Sequence, residues 1–172
     1  GMTAALTLAE NGFPVHLVEK AAEVGGHFRH VQTLHDERNP RHILQKMLKR
    51  IEKSEAITVY LESTVADVQG FKGNFSSMIE SNTGQRQKIH HGATILATGG
   101  EEYRGEEYGY GQSDQIVTQQ EFEAMLANQA PYPCQGLPAT VVMIQCVGPA
   151  EQYCSRICCT VALKNALTLK EQ

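Results

Sequence analysis

The start of the chain constrains the fold most, because a helix, a glycine and a short strand follow one another there. Residues 2–11 place Ala and Leu at helical spacing, and Gly12 stands where that helix should end. The apolar residues of Pro14–Val18 predict a buried strand, with Glu19 at its end. This order is the second half of a dinucleotide-binding fingerprint, whose acid accepts hydrogen bonds from ribose hydroxyls. Gly1 takes the place of the fingerprint's third glycine, so we expect a fragment that lacks the first strand and the first two glycines.

Charge and hydropathy exclude several classes of protein. The chain has 172 residues, with 15 Lys and Arg against 19 Asp and Glu, and its net charge of −4 argues against a nucleic-acid partner. Its 41% hydrophobic content is typical of a globular protein. Since no apolar run approaches the roughly 18 residues that cross a bilayer, we expect no membrane span. The first ten residues lack the basic region of a signal peptide, so we expect a cytoplasmic protein.

The rest of the chain alternates between helical and strand patterns. A helix over 40–54 carries a basic face, which we interpret as solvated, and Thr118 is a candidate N-cap for a helix over 119–128. A last helix is predicted over 154–171. The strand predictions are 57–61, 65–68, a hairpin of 75–80 with 88–91, and two buried strands over 93–97 and 140–146. This order predicts an α/β, Rossmann-like FAD- or NAD(P)-binding fold with a small antiparallel insertion and an incomplete first strand.

Four of the five cysteines fall in one short stretch and are candidate metal ligands. They are Cys146, Cys154, Cys158 and Cys159, whereas Cys134 lies apart in a proline-rich segment and is interpreted as a bystander. Four thiolates near a helix N-terminus suit zinc or a [4Fe–4S] cluster. Buried free cysteines and a redox disulfide between Cys154 and Cys158 remain alternatives.

The loop before these cysteines resembles a degenerate second nucleotide-binding turn. A GxGxxA motif laid on residues 145–150 puts Gln145 and Val147 where the first two glycines belong. Side chains there would block the approach of a pyrophosphate, which argues against NAD(P)H binding.

Further motifs resemble the flavoproteins with two dinucleotide-binding domains, the thioredoxin-reductase-like group. The chain has Gly25-Gly26 soon after Glu19, and a strand that ends in Ala97-Thr98-Gly99. The resemblance implies that the acid contacts the adenosine ribose, that the glycine pair lies on the flavin side, and that the Ala-Thr-Gly turn passes close to FAD. It further implies that the backbone near Val65 contacts adenine. With these residues we group Gly1, Lys20 and His27 as candidate FAD-binding residues.

Nearly the whole chain is similar to the A subunit of heterodisulfide reductase. The segments that carry the resemblance are GMTAALTLAENGFPVHLVEK, GGHF, ILATGG and VVMIQCVGPAEQYCSRICC. The resemblance implies FAD and a [4Fe–4S] cluster, and electron transfer between ferredoxin or partner subunits and a disulfide or another low-potential acceptor in anaerobic metabolism. It implies further reductase subunits, ferredoxin, and hydrogenase or dehydrogenase modules as partners, with a homodimer inside a larger complex. We divide the chain into a partial FAD domain over 1–133 and the start of a second Rossmann unit over 134–172.

Two other functions fit the same residues. One is an NAD(P)H-dependent flavoprotein disulfide reductase, and the other is a non-enzymatic docking module that zinc stabilises at the four cysteines. No residue is assigned a catalytic role from the sequence.

Overall fold

The structure, a computed structural model, describes residues 1–34, 36, 38–127, 138, 140–149 and 156–171. The chain forms two compact units. The first, unit 1, comprises Gly1–Arg29 and His42–Gly99, and the second, unit 2, comprises His30–Arg41 and Gly100–Gln172. The predicted domain boundary between residues 133 and 134 lies outside the described residues and stays a prediction.

Unit 1 begins with the predicted helix and strand. Helix α1 spans Met2–Glu10 and strand β1 spans Val15–Val18. Gly12, between them, has φ of 83°, a conformation that glycine adopts without the steric cost of a side chain. Strand β2, Ile57–Tyr60, pairs in parallel with β1, and helix α2, Pro40–Glu52, precedes it.

The core of unit 1 forms where these elements meet. Its buried members come from α1, α2 and β2, and partly buried residues such as Met47 and Leu17 pack against them. The buried members are Ala5, Leu6, Ile51 and Ile57. The apolar positions of both helices recur every three to four residues, so each helix turns one stripe toward the parallel strands.

A three-stranded antiparallel sheet completes unit 1, in the order β3-β4-β5. Strand β3 spans Ser63–Phe71, β4 spans Asn74–Ser81 and β5 spans Arg86–His91. Because β4 is the central strand, its Ile79 is only 2% exposed. The predicted hairpin of 75–80 with 88–91 is confirmed, and the 65–68 strand is longer than its sequence pattern indicated.

Unit 2 is built around a pair of helices. Helix α3 spans Gln119–Leu126, and helix α4 spans Ile157–Glu171. Phe122, Met125 and Leu126 form the buried cluster of this unit. The partly buried residues that pack against it are Val117, Val141, Met143 and Leu169. The predicted N-cap is confirmed, because the Thr118 hydroxyl accepts the backbone N–H of Glu121 at 3.2 Å.

Two predicted buried strands are wrong. Residues 93–97 and 140–146 belong to neither sheet, and Leu96 and Val142 are 85% and 80% exposed. A buried strand needs a neighbour for its backbone hydrogen bonds, which an apolar run does not supply by itself. In 141–145 exposure alternates from residue to residue, so the segment is half-buried against the helices without pairing.

The predicted α/β fold with a small antiparallel insertion is confirmed. In the part of the chain that the structure describes, no helix is both long enough and apolar enough to cross a membrane.

Candidate functional site

The N-terminus of α1 lies at Gly1, its N-cap residue, and no side chain among the described residues caps it. The first hydrogen bond of the helix runs from Ala5 N–H to the Gly1 carbonyl at 2.9 Å. The N–H groups in the first turn of a helix make no bond within their own helix. Such a helix end carries partial positive charge and is suited to bind an anion such as a phosphate.

Gly1 lies beside two segments that the sequence predicted to share its site. A Cβ built on Gly1 would stand 3.8 Å from Cδ1 of Leu17 in β1, and 3.9 Å from Cβ of Ala97. Ala97, Thr98 and Gly99 are exposed, and Gly99 has φ of 72°. The helix N-terminus, the parallel strand and the Ala-Thr-Gly turn therefore meet in unit 1.

Glu19 occupies the carboxyl end of β1, and its backbone is fixed on both sides. Its N–H donates to Tyr60 O at 2.9 Å, and its carbonyl accepts from Ser63 N–H at 3.0 Å. The side chain is half-buried, and Oε1 accepts the N–H of Ala21 at 3.0 Å. This bond orients the carboxylate and leaves Oε2 to accept a hydrogen bond from a ligand hydroxyl.

The Glu19–Ser63 bond also ties the antiparallel sheet to the end of β1. Ser63 opens β3, and Val65 follows two residues later, 47% exposed and paired with Ile79. A bulge interrupts the ladder between Val65 and Asp67. A bulge redirects the backbone, so not all backbone N–H and C=O groups next to Val65 form hydrogen bonds with the neighbouring strand.

The glycine pair forms a tight turn after β1. Gly25 and Gly26 have φ of 125° and 48°, and a 3₁₀ turn over Gly26–Arg29 carries the exposed His27. A Cβ on Gly25 would stand 3.1 Å from Cγ of Arg29, which is closer than packed side chains normally come. Lys20 is exposed.

Arg29 is a supporting residue that sequence reasoning missed. Its Nε donates to Val24 O at 2.7 Å, its guanidinium pairs with Glu23, and its stem fills the space beside Gly25. No sequence motif marks this arginine, because it supports the turn only through its contacts.

The cysteines lie in unit 2. Cys146 is exposed with φ of 57°, and Cys158 and Cys159 stand in the first turn of α4, exposed and half-buried respectively. None of the three forms a disulfide with another described residue. Helix α4 begins at Ile157, and Cys154, where the predicted helix starts, lies outside the described residues, as does Cys134. The predicted shared helix face of Cys154 and Cys158 therefore stays a prediction.

The two predicted cofactors fit the described residues unequally. The uncapped helix end, the oriented carboxylate of Glu19 and the glycine turns match the needs of a dinucleotide. Free thiols are suitable iron ligands, but no three His, Cys, Asp or Glu side chains among the described residues are close enough to hold a metal ion. A cluster would need Cys154 and a rearrangement of the other three thiols.

Comparison with known proteins identifies relatives. No protein-family model matches the chain. The iron-sulfur A subunit 1 of the CoB–CoM heterodisulfide reductase of Methanopyrus kandleri is 27% identical, over 99% of this chain and 40% of that protein. The A subunit of the ferredoxin/F(420)H(2)-dependent CoB–CoM heterodisulfide reductase of Methanosarcina acetivorans is 25% identical, over 100% of this chain and 33% of that protein. Over nearly its whole length, this chain is similar to heterodisulfide reductase A subunits.

The match to these A subunits is strongest in one part. The A subunit of the H(2)/formate:CoB–CoM heterodisulfide,ferredoxin reductase of Methanococcus maripaludis is 41% identical in an alignment of 101 positions that covers 50% of this chain and 15% of that protein. The Methanopyrus alignment covers 267 positions, more than the 172 residues here, so the Methanopyrus protein has additional residues inside the matched region. The chain spans 40% or less of the length of these relatives.

A solved structure supports the fold. The L-proline dehydrogenase from P. horikoshii superposes with a TM-score of 0.50 over 57% of this chain and 20% of that one, at 21% identity. At this identity the likeness concerns the fold alone.

Proposed function

We propose that this chain is an electron-transferring module of the heterodisulfide reductase A type, which binds FAD in unit 1 and a [4Fe–4S] cluster through its clustered cysteines. The relatives that span the chain are reductase subunits, and the names of the two from Methanopyrus kandleri include iron-sulfur. Its partners in this proposal are further subunits of such reductases, together with ferredoxin and hydrogenase or dehydrogenase modules. A homodimer within a larger complex is part of the same proposal.

One observation carries the FAD assignment: the α1 N-terminus, β1 and the Ala-Thr-Gly turn meet at Gly1. A Cβ there would be 3.8 Å from Leu17 and 3.9 Å from Ala97. Because Glu19 directly follows β1, an anion at the helix end and a hydroxyl at Glu19 can belong to one extended ligand. A dinucleotide has both groups.

The chain's own residues take separate tasks in this proposal. The N–H groups of residues 2–4 bind the pyrophosphate, and Oε2 of Glu19 accepts a hydrogen bond from a ribose hydroxyl. The backbone beside Val65 contacts adenine, while Lys20, the turn of Gly25, Gly26 and His27, and Ala97–Gly99 border the flavin. When bound, the flavin supplies the capacity to accept and release electrons, and the protein supplies orientation and electrostatics.

The cysteines have the second task. Cys146, Cys158 and Cys159 form no disulfide among the described residues, and with Cys154 they would complete the four thiolates that a [4Fe–4S] cluster requires. Cys158 and Cys159 stand in the first turn of α4, and the partial positive charge of a helix N-terminus is favourable for an anionic group bound there. The side chains of Gln145 and Val147 occupy glycine positions of a second nucleotide turn, so we do not propose an NAD(P)H site there.

The test is preparation of the full chain without oxygen, followed by metal analysis and an absorption spectrum. We expect about four iron atoms per chain and an absorption spectrum with a broad charge-transfer shoulder at about 400 nm. The Cys158→Ser variant should lose most of the iron, whereas the matched Cys134→Ser variant should keep it. Zinc without iron would support the zinc-stabilised docking module and contradict the cluster.

A further inference from the structure

The exposed face of α2 carries mainly positive charges, and Glu52 is the one exposed acid in the helix. Lys46, Lys49, Arg50 and Lys53 lie on this face or directly after its last turn, and all four are exposed. We call these four residues the basic stripe. The opposite face is fixed by apolar burial, because Leu44 and Ile51 are 8% and 5% exposed. The packing of α2 therefore determines that the stripe points outward.

Most of the stripe has no counter-charge. Lys46, Lys49 and Lys53 form no ion pair with any residue that the structure describes, and Arg50 pairs with Glu10 of α1. Glu52, the single acid within α2, is exposed and likewise makes no ion pair in the described part of the chain. The stripe is thus a region of positive potential in a chain of net charge −4.

The spacing of the stripe opposes helix stability. Lys46 and Arg50 are four residues apart, as are Lys49 and Lys53, and like charges at this spacing repel on the helix surface. The helix dipole favours cations in the last turn, which compensates at Lys49 and Arg50. It does not compensate at Lys46, which lies one turn earlier. A binding partner would offset this repulsion by supplying negative charge.

From these observations we infer that the basic stripe docks an acidic protein electron carrier. The inference rests on the proposed function and names the partner chemistry for it. Complexes between electron-transfer proteins have small interfaces and low affinity. Opposite surface charges on the two proteins increase the association rate and fix the orientation in which they bind. Four cations along about two helical turns match such a small contact.

Other anionic partners fit the stripe less well. No Phe, Tyr or Trp stands in α2 for stacking against bases, and the chain as a whole is acidic, so a nucleic acid is disfavoured. The large apolar residues of α2 are buried or half-buried, so none protrudes between the lysines to enter a lipid surface.

The test measures binding of a fluorescently labelled acidic [2Fe–2S] ferredoxin to the full chain by anisotropy. The stripe variant is the triple Lys46→Glu, Lys49→Glu and Lys53→Glu. The matched control makes the same change in charge at three exposed lysines outside α2, Lys72, Lys88 and Lys170. Circular dichroism checks that both variants keep the helix content of the unmodified chain.

We expect the stripe variant to bind about tenfold more weakly at 0.1 M salt, and the control to change about twofold or less. At 1 M salt, where the screening length falls from about 10 Å to about 3 Å, the difference should disappear. Equal losses in both variants, or tighter binding of duplex DNA, anionic vesicles or a second copy of the chain than of ferredoxin, would overturn the inference. Flavin and iron content are measured separately, so a chain that binds ferredoxin without cofactors would contradict only the proposed function.

Discussion

Glu123 of α3 and Lys164 of α4 form an ion pair that is almost completely removed from solvent. Lys164 Nζ lies 2.5 Å from Glu123 Oε1, and the two side chains are 13% and 6% exposed. The same Oε1 accepts the N–H groups of Gln32 and Thr33 at 2.8 and 3.0 Å, and Nζ donates to Thr33 O at 3.0 Å. The pair therefore holds the segment before α2 against both helices of unit 2.

Removal of one member of this pair should destabilise unit 2 strongly. Glu123→Gln leaves the Lys164 ammonium buried without a counter-charge, and a buried pair broken in this way costs about 3–5 kcal/mol. The double variant Glu123→Gln, Lys164→Met should recover part of that loss, since no buried charge is left. Urea denaturation monitored by circular dichroism measures the free energy of unfolding.

The exposed pair between Glu80 and Arg86 is the matched control. Its side chains are 31% and 64% exposed, so Arg86→Met should cost about 1 kcal/mol or less. A loss at Glu123 no larger than the loss at Arg86 would show that the buried pair does not hold unit 2 together.

The capping box of α3 allows a second prediction. The Thr118 hydroxyl accepts the N–H of Glu121, and the Glu121 carboxylate accepts the N–H of Thr118 at 2.8 Å. Thr118→Ala removes the first bond and should lower the free energy of unfolding by about 1 kcal/mol. Thr118→Ser keeps the hydroxyl and should stay close to the unmodified chain. Equal stability of the Ala and Ser variants would contradict the capping role.

The charge environment of Glu121 predicts a pH dependence. Burial alone would raise the pKa of Glu121, but the N–H of Thr118, the Tyr110 hydroxyl and the Arg104 guanidinium together hold its pKa below the ordinary 4.5. Because the folded chain holds this proton less tightly than the unfolded chain, the resulting stability is present above pH 4.5 and lost as the pH falls through the folded pKa. NMR titration of the Glu121 carboxyl should give a midpoint below 4.5. A midpoint at or above 4.5 would contradict this assignment.

The glycine turn after β1 predicts a steric effect. Gly25 has φ of 125°, and an added Cβ would stand 3.1 Å from Arg29 Cγ and 3.3 Å from Leu44 Cδ1. Gly12, with φ of 83°, has open space around it and is the matched control. Gly12→Ala should cost about 1–2 kcal/mol from backbone strain alone, and Gly25→Ala should cost more because Arg29 must also move. Denaturation curves in which the two variants coincide would exclude a packed turn.

Sequence patterns predicted the fold correctly where the residues that pair or cap one another lie close together in the sequence. Apolar spacing gave α1 and α2, Gly12 gave the end of α1, and the spacing of Thr118 and Glu121 gave the start of α3. The β4–β5 hairpin joins strands that are adjacent in sequence. The predictions over 93–97 and 140–146 were wrong, because strand pairing depends on distant residues that an apolar run does not identify.

The candidate site could be predicted only in part, for the same reason. Gly1, Glu19 and Ala97 carry recognisable motifs, and the structure places Gly1 against Ala97 and against the strand that Glu19 ends. Residues that support the site by contact alone have no motif. Arg29, which packs beside Gly25, is one example. Ser63, whose backbone N–H donates a hydrogen bond to the Glu19 carbonyl, is another.

Titration of FAD against the full chain, followed by quenching of flavin fluorescence, tests the central claim most directly. The variants are Glu19→Ala and the matched Glu55→Ala, at an exposed acid outside the candidate site. We predict saturable binding of one FAD per chain, about tenfold weaker for Glu19→Ala, or about 1.4 kcal/mol, and unchanged for Glu55→Ala. Absence of saturable binding, or equal affinity of all three proteins, would contradict an FAD site at Glu19.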